Sequence, residues 1–277
     1  MIIDGNKINN EIMEELRSRS GGGLSLAIVW VGDDPVSAKY IEKKKRFGEA
    51  VGIKVDIFKY GAGILTSELV VELRNILKRD PSGIIIQLPL PKNIDTALIL
   101  NMIPENKDVD LLSEKAYQNF VEGKSKILPP VVGSIREILE RGGVRDMNGL
   151  NVVIVGRGRL VGRPAAAWFK SQGAIVDLLG RDTEDISLFT KKADIVVTGA
   201  GVPNLITPDM LAEKSHTKLG GVVIIDAATS DVSGKIVGDV SKDCAKKSFI
   251  FSPVPGGVGP ITVAILFKNL TTLRLGN

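Results

Sequence analysis

The sequence holds one cysteine, Cys244, and one histidine, His216, and each scarcity excludes chemistry. A lone cysteine cannot close a disulfide within the chain and leaves no thiolate pair for a metal site. With a lone histidine, a Ser-His-Asp hydrolase or a His–Asp dehydrogenase would have to rest on His216. That residue stands in "AEKSHTKLG", at the expected end of a helix with no second ligand near it in sequence, so no metal is expected. Aromatic residues make up only 5% of the chain and do not cluster with its basic residues. There is no long Lys/Arg tail, and the net charge of +4 is modest. That balance suits an acidic small substrate or a phosphorylated cofactor and does not signal nucleic acid. No apolar run reaches the ~18 residues of a membrane span. The opening "MIIDGNKINNEIM" lacks the basic start and apolar core of a signal peptide. A soluble, cytoplasmic protein is expected, without a nucleic-acid or membrane partner.

What is present is a regular alternation. Strands are expected at 24–31, 54–58, 83–88, 151–155, 175–179, 195–198, 222–226 and 249–251. Helices are expected near 7–17, 35–50, 67–78, 134–141, 162–171, 208–214 and 260–273. Near-continuous apolar strands alternating with amphipathic helices imply the α/β class, with parallel sheets covered on both faces. A chain of 277 residues makes one large domain or two ordinary ones. The polar, weakly patterned "YQNFVEGKSK", 117–126, marks a boundary, and "PGGVGP", 255–260, marks a second crossing.

The stretch "SAKYIEKKK" lies on the expected helix 35–50. Asp34 can cap that helix and Pro35 suits its first turn, while Gly52 can end it. Spacings of three and four put Ser37, Tyr40 and Lys44 on one face, and Lys43 and Lys45 diverge from it. The face is either an active-site surface or a solvated helix side that includes a tyrosine.

The stretch "NVVIVGRGRLVGRPAAAWF" runs from a buried strand through Gly156, Gly158 and Gly162 into a helix. Glycines there let the backbone approach a pyrophosphate at a helix N-terminus, so dinucleotide binding is expected. An NAD reader usually ends the next strand with a carboxylate; here Asp177 precedes two further apolar residues, and the strand tip carries Gly180 and Arg181. A guanidinium there suits a 2′-phosphate, and Arg157 can add to it, so NADP is expected over NAD.

A Tyr-x-x-x-Lys pair with a glycine loop is known from short-chain dehydrogenases, but here the pair precedes the loop by more than 100 residues. "QLPLP" places Gln87 at the C-terminal end of a strand, "KDVDLL" follows with Asp108 and Asp110, and "KIVGDV" and "SPVPGGVGPIT" come near the end. With "SAKYIEKKK" and "VIVGRGRLVGRP", in this order over nearly the whole chain, the sequence resembles the methylenetetrahydrofolate dehydrogenase/cyclohydrolase family. The resemblance implies two α/β domains with a cleft between them. Residues 1–120 with the C-terminal helix 256–277 would bind folate, and residues 121–255 would form a Rossmann-type NADP domain. It implies oxidation of 5,10-methylenetetrahydrofolate by NADP, hydrolysis of the methenyl product to 10-formyltetrahydrofolate, and a homodimer.

Carried over by motif, Lys44 is the key catalytic group, Tyr40 packs on the folate rings, Gln87 hydrogen-bonds the lysine and Asp110 holds the pterin. Ser37, Pro255, Gly256, Gly257, Val258 and Pro260 complete the folate site. Gly156, Arg157, Gly158, Gly162, Arg181 and Thr229 hold the cofactor. A lysine enclosed beside a developing cation has its pKa pushed down, which would let neutral Lys44 assist water attack. The sequence departs from the family pattern at Leu128–Gly133 ("LPPVVG"), at Gly158 in place of serine, and at Leu111 in place of glycine. A shikimate-dehydrogenase-like oxidoreductase also places a substrate domain before a cofactor domain, but leaves "QLPLP" and "PVPGGVGP" unexplained. A non-catalytic basic nucleotide- or RNA-binding protein lacks the clustered stacking aromatics it would need.

Overall fold

The structure, a computed structural model, describes residues 1–19 and 22–276. In chain order the elements are α1 (Gly5–Arg19), β1 (Ser25–Val31), α2 (Pro35–Ala50), β2 (Lys54–Tyr60), α3 (Thr66–Lys78), β3 (Gly83–Ile86), α4 (Thr96–Asn101) and α5 (Glu114–Val121). There follow α6 (Pro130–Arg141), β4 (Asn151–Val155), α7 (Gly162–Ser171), β5 (Ile175–Leu179), α8 (Ser187–Thr190), β6 (Ile195–Thr198) and β7 (Val222–Asp226). The chain closes with β8 (Ser230–Val232), β9 (Lys235–Val237), β10 (Ser248–Ser252) and α9 (Val258–Leu275).

Two compact units emerge: Asn10–Pro129 with Val263–Asn277, and Met1–Asn9 with Pro130–Thr262. The expected boundaries are 120/121 and 255/256, whereas the units divide at 129/130 and 262/263. Residues 121–129 stay with the first of these units because their backbone bonds back to it. Lys124 and Ser125 donate to the Asn119 carbonyl at 2.8 and 3.1 Å, and Asn269 Nδ2 donates to the Leu128 carbonyl at 2.8 Å. Residues 1–9 join the other unit because Ile3 N donates to Phe251 O (2.8 Å) and Phe251 N to Met1 O (2.9 Å), extending the sheet at β10.

The first unit carries a parallel sheet in the order β2-β1-β3. Asp108 bridges to Ile84 beside β3, which brings the segment carrying Asp110 to the sheet. Because β2 and β3 lie on opposite sides of β1, the chain reverses its winding at the C-terminal ends of β1 and β3, where open α/β sheets bind ligands. β1 and β3 are almost wholly buried, and their side chains pack with Leu69, Leu73 and Ile76 of α3. The second unit carries a parallel sheet in the order β10-β7-β6-β4-β5, with a winding reversal at β4. β8 and β9 form a small antiparallel hairpin.

Two expectations need correction. The helix expected at 208–214 is instead two short 3₁₀ turns, Pro208–Met210 and Lys214–His216, because the run is too polar and too short to bury a helical face. α4, α5 and α8 have no counterpart in the sequence reading; each has at most eight residues, too few for a clear period.

Candidate functional site

α2 begins where its sequence requires. Asp34 Oδ2 accepts from Ser37 N at 2.7 Å and Pro35 occupies the first turn. Its buried stripe is Ser37, Ile41, Lys44, Phe47 and Gly48. Phe47 stacks on Phe267 with ring centroids 4.9 Å apart, and Gly48 allows close approach, since a Cβ there would lie 2.4 Å from Val55 Cγ2. Lys44 is thus carried inward by the apolar residues beside it, while Lys43 and Lys45 are exposed. Lys43 is not idle: its Nζ lies 5.3 Å above the Tyr40 ring.

Lys44 Nζ donates to Gln87 Oε1 at 2.9 Å. Gln87 follows β3; its backbone N donates to Val29 O (2.8 Å), and its Nε2 donates to Leu88 O (3.0 Å), which turns Oε1 toward the amine. Burial drives the Lys44 pKa below that of a free lysine, opposed by the negative charge of Asp110. Burial likewise pushes half-buried Asp110 up to about 6, opposed by the Lys44 charge and reinforced by Asp108. The two groups therefore sit within electrostatic reach of each other, each held toward its neutral form by the low-dielectric surroundings.

The turn that presents Asp110 is built by Asp108, for which the sequence reading gave no role. Buried Asp108 accepts from Leu112 N (3.2 Å) and Ser113 N (2.8 Å). The Val109 carbonyl accepts from Asn269 Nδ2 at 2.9 Å. Leu111 takes φ +53, the left-handed conformation that glycine adopts without cost. Its side chain is only 3% exposed, so core packing holds a non-glycine residue there.

In the five-stranded unit the glycine loop follows β4 at the winding reversal. Gly156 has φ +109, and a Cβ on Gly162 would lie 1.7 Å from Gly156 O, so both positions demand glycine. Gly158 is exposed, and its carbonyl accepts from Arg163 N at 3.1 Å. This tight cradle opening into α7 fits a pyrophosphate. Arg157 reaches across to β5, with Nε donating to Leu178 O (3.3 Å) and Nη1 paired with Asp182 at 2.8 Å. Arg181 is exposed at the tip of β5, Asp177 is mid-strand, and Thr229 is exposed just after β7.

A second feature to which the sequence assigns no role, although Asp239 stands in "KIVGDV", is a carboxylate clamp beneath the neighbouring loops. Asp239 accepts from Ala200 N (2.7 Å), Gly201 N (3.3 Å) and Val202 N (2.7 Å). Asp226 accepts from Thr198 Oγ1 (3.0 Å), Ala228 N (3.1 Å) and Val240 N (3.0 Å), and burial pushes it up to about 6. Pro255, Gly256 and Gly257 form the turn that leads into α9, and Val258 and Pro260 lie in its first turn, all in the same unit. Gly5 N donates to Gly256 O at 2.7 Å, and a Cβ on Gly257 would meet Ser252 Oγ at 2.2 Å. Among the described residues no helix is long and apolar enough to cross a membrane.

Comparison with known proteins gives the chain its relatives. Residues 3–110 match the tetrahydrofolate dehydrogenase/cyclohydrolase catalytic domain, and residues 129–275 match the NAD(P)-binding domain of the same family. A bifunctional protein FolD from Nitratiruptor sp. is 37% identical over 97% of this chain and 95% of its own. The crystal structure of the bifunctional FolD dehydrogenase/cyclohydrolase from Campylobacter jejuni is similar with a TM-score of 0.92 and 34% identity, covering 100% of this chain and 99% of that one. The Trypanosoma brucei FolD, solved with NADP and an inhibitor, gives a TM-score of 0.91 at 28% identity, covering 100% and 98%. Shikimate dehydrogenase from Aquifex aeolicus, at 11% identity and a TM-score of 0.56, shares the fold alone. With both domain models matched in order and full-length relatives above 30% identity, this chain belongs to the tetrahydrofolate dehydrogenase/cyclohydrolase family.

Proposed function

We propose that this chain is a bifunctional enzyme: an NADP-dependent 5,10-methylenetetrahydrofolate dehydrogenase and a 5,10-methenyltetrahydrofolate cyclohydrolase, with Lys44 as the group that moves the proton. The observation that carries the reading is the buried Lys44 amine donating to Gln87 beside a carboxyl of raised pKa, on a chain of this family. Held by the Gly156, Gly158 and Gly162 loop, NADP would supply a hydride acceptor for the one-carbon bridge, and the oxidised folate would be the methenyl cation. A charged ammonium beside that carbon would oppose the step, and burial of Lys44 favours the neutral amine instead. Gln87 directs one N–H of Lys44 toward itself without adding charge, which leaves the nitrogen lone pair available. In the second reaction water adds to the methenyl carbon while Lys44 takes a water proton. Lys44 then delivers its proton to N5 as the bond from that carbon to N5 breaks, and the carbinol O–H gives up its proton to water as the formyl C=O forms, so that 10-formyltetrahydrofolate and one net proton result. Tyr40 serves as the folate-stacking ring and Asp110 as the pterin partner, with Ser37 beside them on the same unit.

Arg181 and Arg157 are the candidate partners of the 2′-phosphate, with Gly156, Gly158, Gly162 and Thr229 around the rest of the cofactor. A homodimer in the cytoplasm belongs to the same reading, and light scattering on the purified chain checks the assembly. Turnover is tested with methylenetetrahydrofolate and NADP, following reduced cofactor and methenyl absorbance together. Reduced cofactor should form and the methenyl intermediate should be consumed. Turnover of shikimate with NADP, and none of the folate, would replace this function with the alternative.

A further inference from the structure

The tip of β5 carries charges of both signs. Gly180 to Thr183 forms a closed turn, with Thr183 N donating to Gly180 O (3.1 Å) and Gly180 N to Thr183 Oγ1 (3.2 Å). Its two corner residues are Arg181 and Asp182. Asp182 does not face solvent idly. Arg157 Nη1 contacts both of its carboxylate oxygens, at 2.8 and 2.9 Å, while Arg157 Nε is held by the Leu178 carbonyl. Gly180 makes room for this pair, since a Cβ there would lie 2.7 Å from Asp182 Oδ1 and 2.8 Å from Arg157 Cζ. The guanidinium of the glycine loop is therefore already neutralised, at the strand tip where doubly wound folds read the ribose 2′ position.

Two opposite recognition chemistries meet at that position. A 2′-phosphate is read by guanidinium groups, and a 2′-hydroxyl by a carboxylate. Asp182 is repelled by the first and compatible with the second. We propose that Asp182 is a specificity-determining residue that competes with the 2′-phosphate for Arg157, lowering the preference for NADP and keeping NAD usable. The pair is exchangeable because both side chains are largely exposed, at 48% and 68%, so an incoming phosphate can take the guanidinium at the expense of the carboxylate. The hydrogen bond from Arg157 holds the Asp182 pKa below the usual carboxylate range, so the competitor is charged at neutral pH. The inference rests on the dinucleotide reading of the glycine loop and concerns a residue outside the set assigned to it.

The test is calorimetric binding of NADP and of NAD to the full-length wild type, Asp182→Asn, and Asp185→Asn. Asp185 lies in the same loop but bonds to Ser187 N, so its variant controls for loss of one negative charge. Asp182→Asn should tighten NADP by roughly tenfold, with NAD unchanged or weaker, as expected when one carboxylate stops competing for a guanidinium. In an Arg157→Ala background the same substitution should lose that effect. Three results would each overturn the proposal: weaker NADP binding in Asp182→Asn, an unchanged NADP-to-NAD ratio, or an equal response in Asp185→Asn. A wild type that binds neither dinucleotide would overturn the cofactor reading itself.

Discussion

Replacing Asp110 by asparagine should change both the stability of the chain and the pH dependence of its chemistry, in directions set by burial. Burial pushes the Asp110 carboxyl from 3.8 up to about 6, so between those values the folded chain holds a proton that the unfolded chain has released. Stability from this group is therefore fully present below pH 3.8 and is lost as pH rises through 6. A shift of about two units corresponds to at most about 3 kcal/mol, at 1.36 kcal/mol per unit. Asp110→Asn keeps the shape and cannot ionise, so it escapes that loss. Thermal melts should show the variant gaining on the wild type as pH rises from 4 to 7, by several degrees at roughly 2–4 °C per kcal/mol. The kinetic effect follows from the other half of the pair. The Asp110 charge favours protonated Lys44, so its removal should lower the Lys44 pKa further. If neutral Lys44 is the base, the acid limb of the cyclohydrolase pH profile should move to lower pH. A stability gap that stays flat between pH 4 and 7, or an acid limb that moves upward, would refute the coupling.

Other substitutions test separate parts of the structure. Leu111→Ala should destabilise by about 2–4 kcal/mol for lost core packing. Leu111→Gly should be less damaging than Ala by about 1 kcal/mol, because φ +53 suits glycine. Chemical denaturation decides the order, and Gly equal to or worse than Ala would deny the strain. Arg181→Ala should narrow the NADP preference roughly tenfold or more in kcat/KM, as for loss of one charge-assisted contact; an unchanged ratio would remove Arg181 from the 2′-phosphate site. Cys244→Ser and His216→Ala should each keep most activity, and chelators should have little effect. A large loss in the histidine variant would favour a mechanism without the lysine.

The regular strands were legible because their apolar runs match the period and length of buried parallel strands. β4, β5, β6 and β7 fall where the sequence reading puts them, as do α2 and α7. The face of α2 was legible too, since the i, i+4 pattern that makes Ile41, Lys44 and Phe47 neighbours also buries the lysine. The bland alternative, a solvated charged side, holds for Lys45 and not for Lys44. What the sequence could not give was the work of carboxylates that act on distant backbone. Asp108 and Asp239 lie in the stretches "KDVDLL" and "KIVGDV", but neither they nor Asp226 reveal their partners in the sequence, because those partners are N–H groups brought near only by the fold. The left-handed Leu111 is a further case: a leucine predicts no positive φ, and only its burial explains how the conformation is held. Asp182 directly follows Arg181 in the sequence, but its pairing with Arg157 depends on the adjacency of β4 and β5.

The central claim is that Lys44 moves the proton and that its basic neighbours do not. The most direct measurement compares Lys44→Met with Lys43→Met and Lys45→Met, assaying dehydrogenase and cyclohydrolase rates separately on each folded variant. Lys44→Met should lower the cyclohydrolase rate by roughly 10²-fold or more, with a smaller loss of hydride transfer. Lys45→Met should change little beyond salt-sensitive substrate binding, and Lys43→Met should add only a modest rise in KM through the Tyr40 ring it covers. Equal losses at all three lysines, or a Lys44→Met variant that hydrolyses the methenyl substrate at the wild-type rate, would contradict the account.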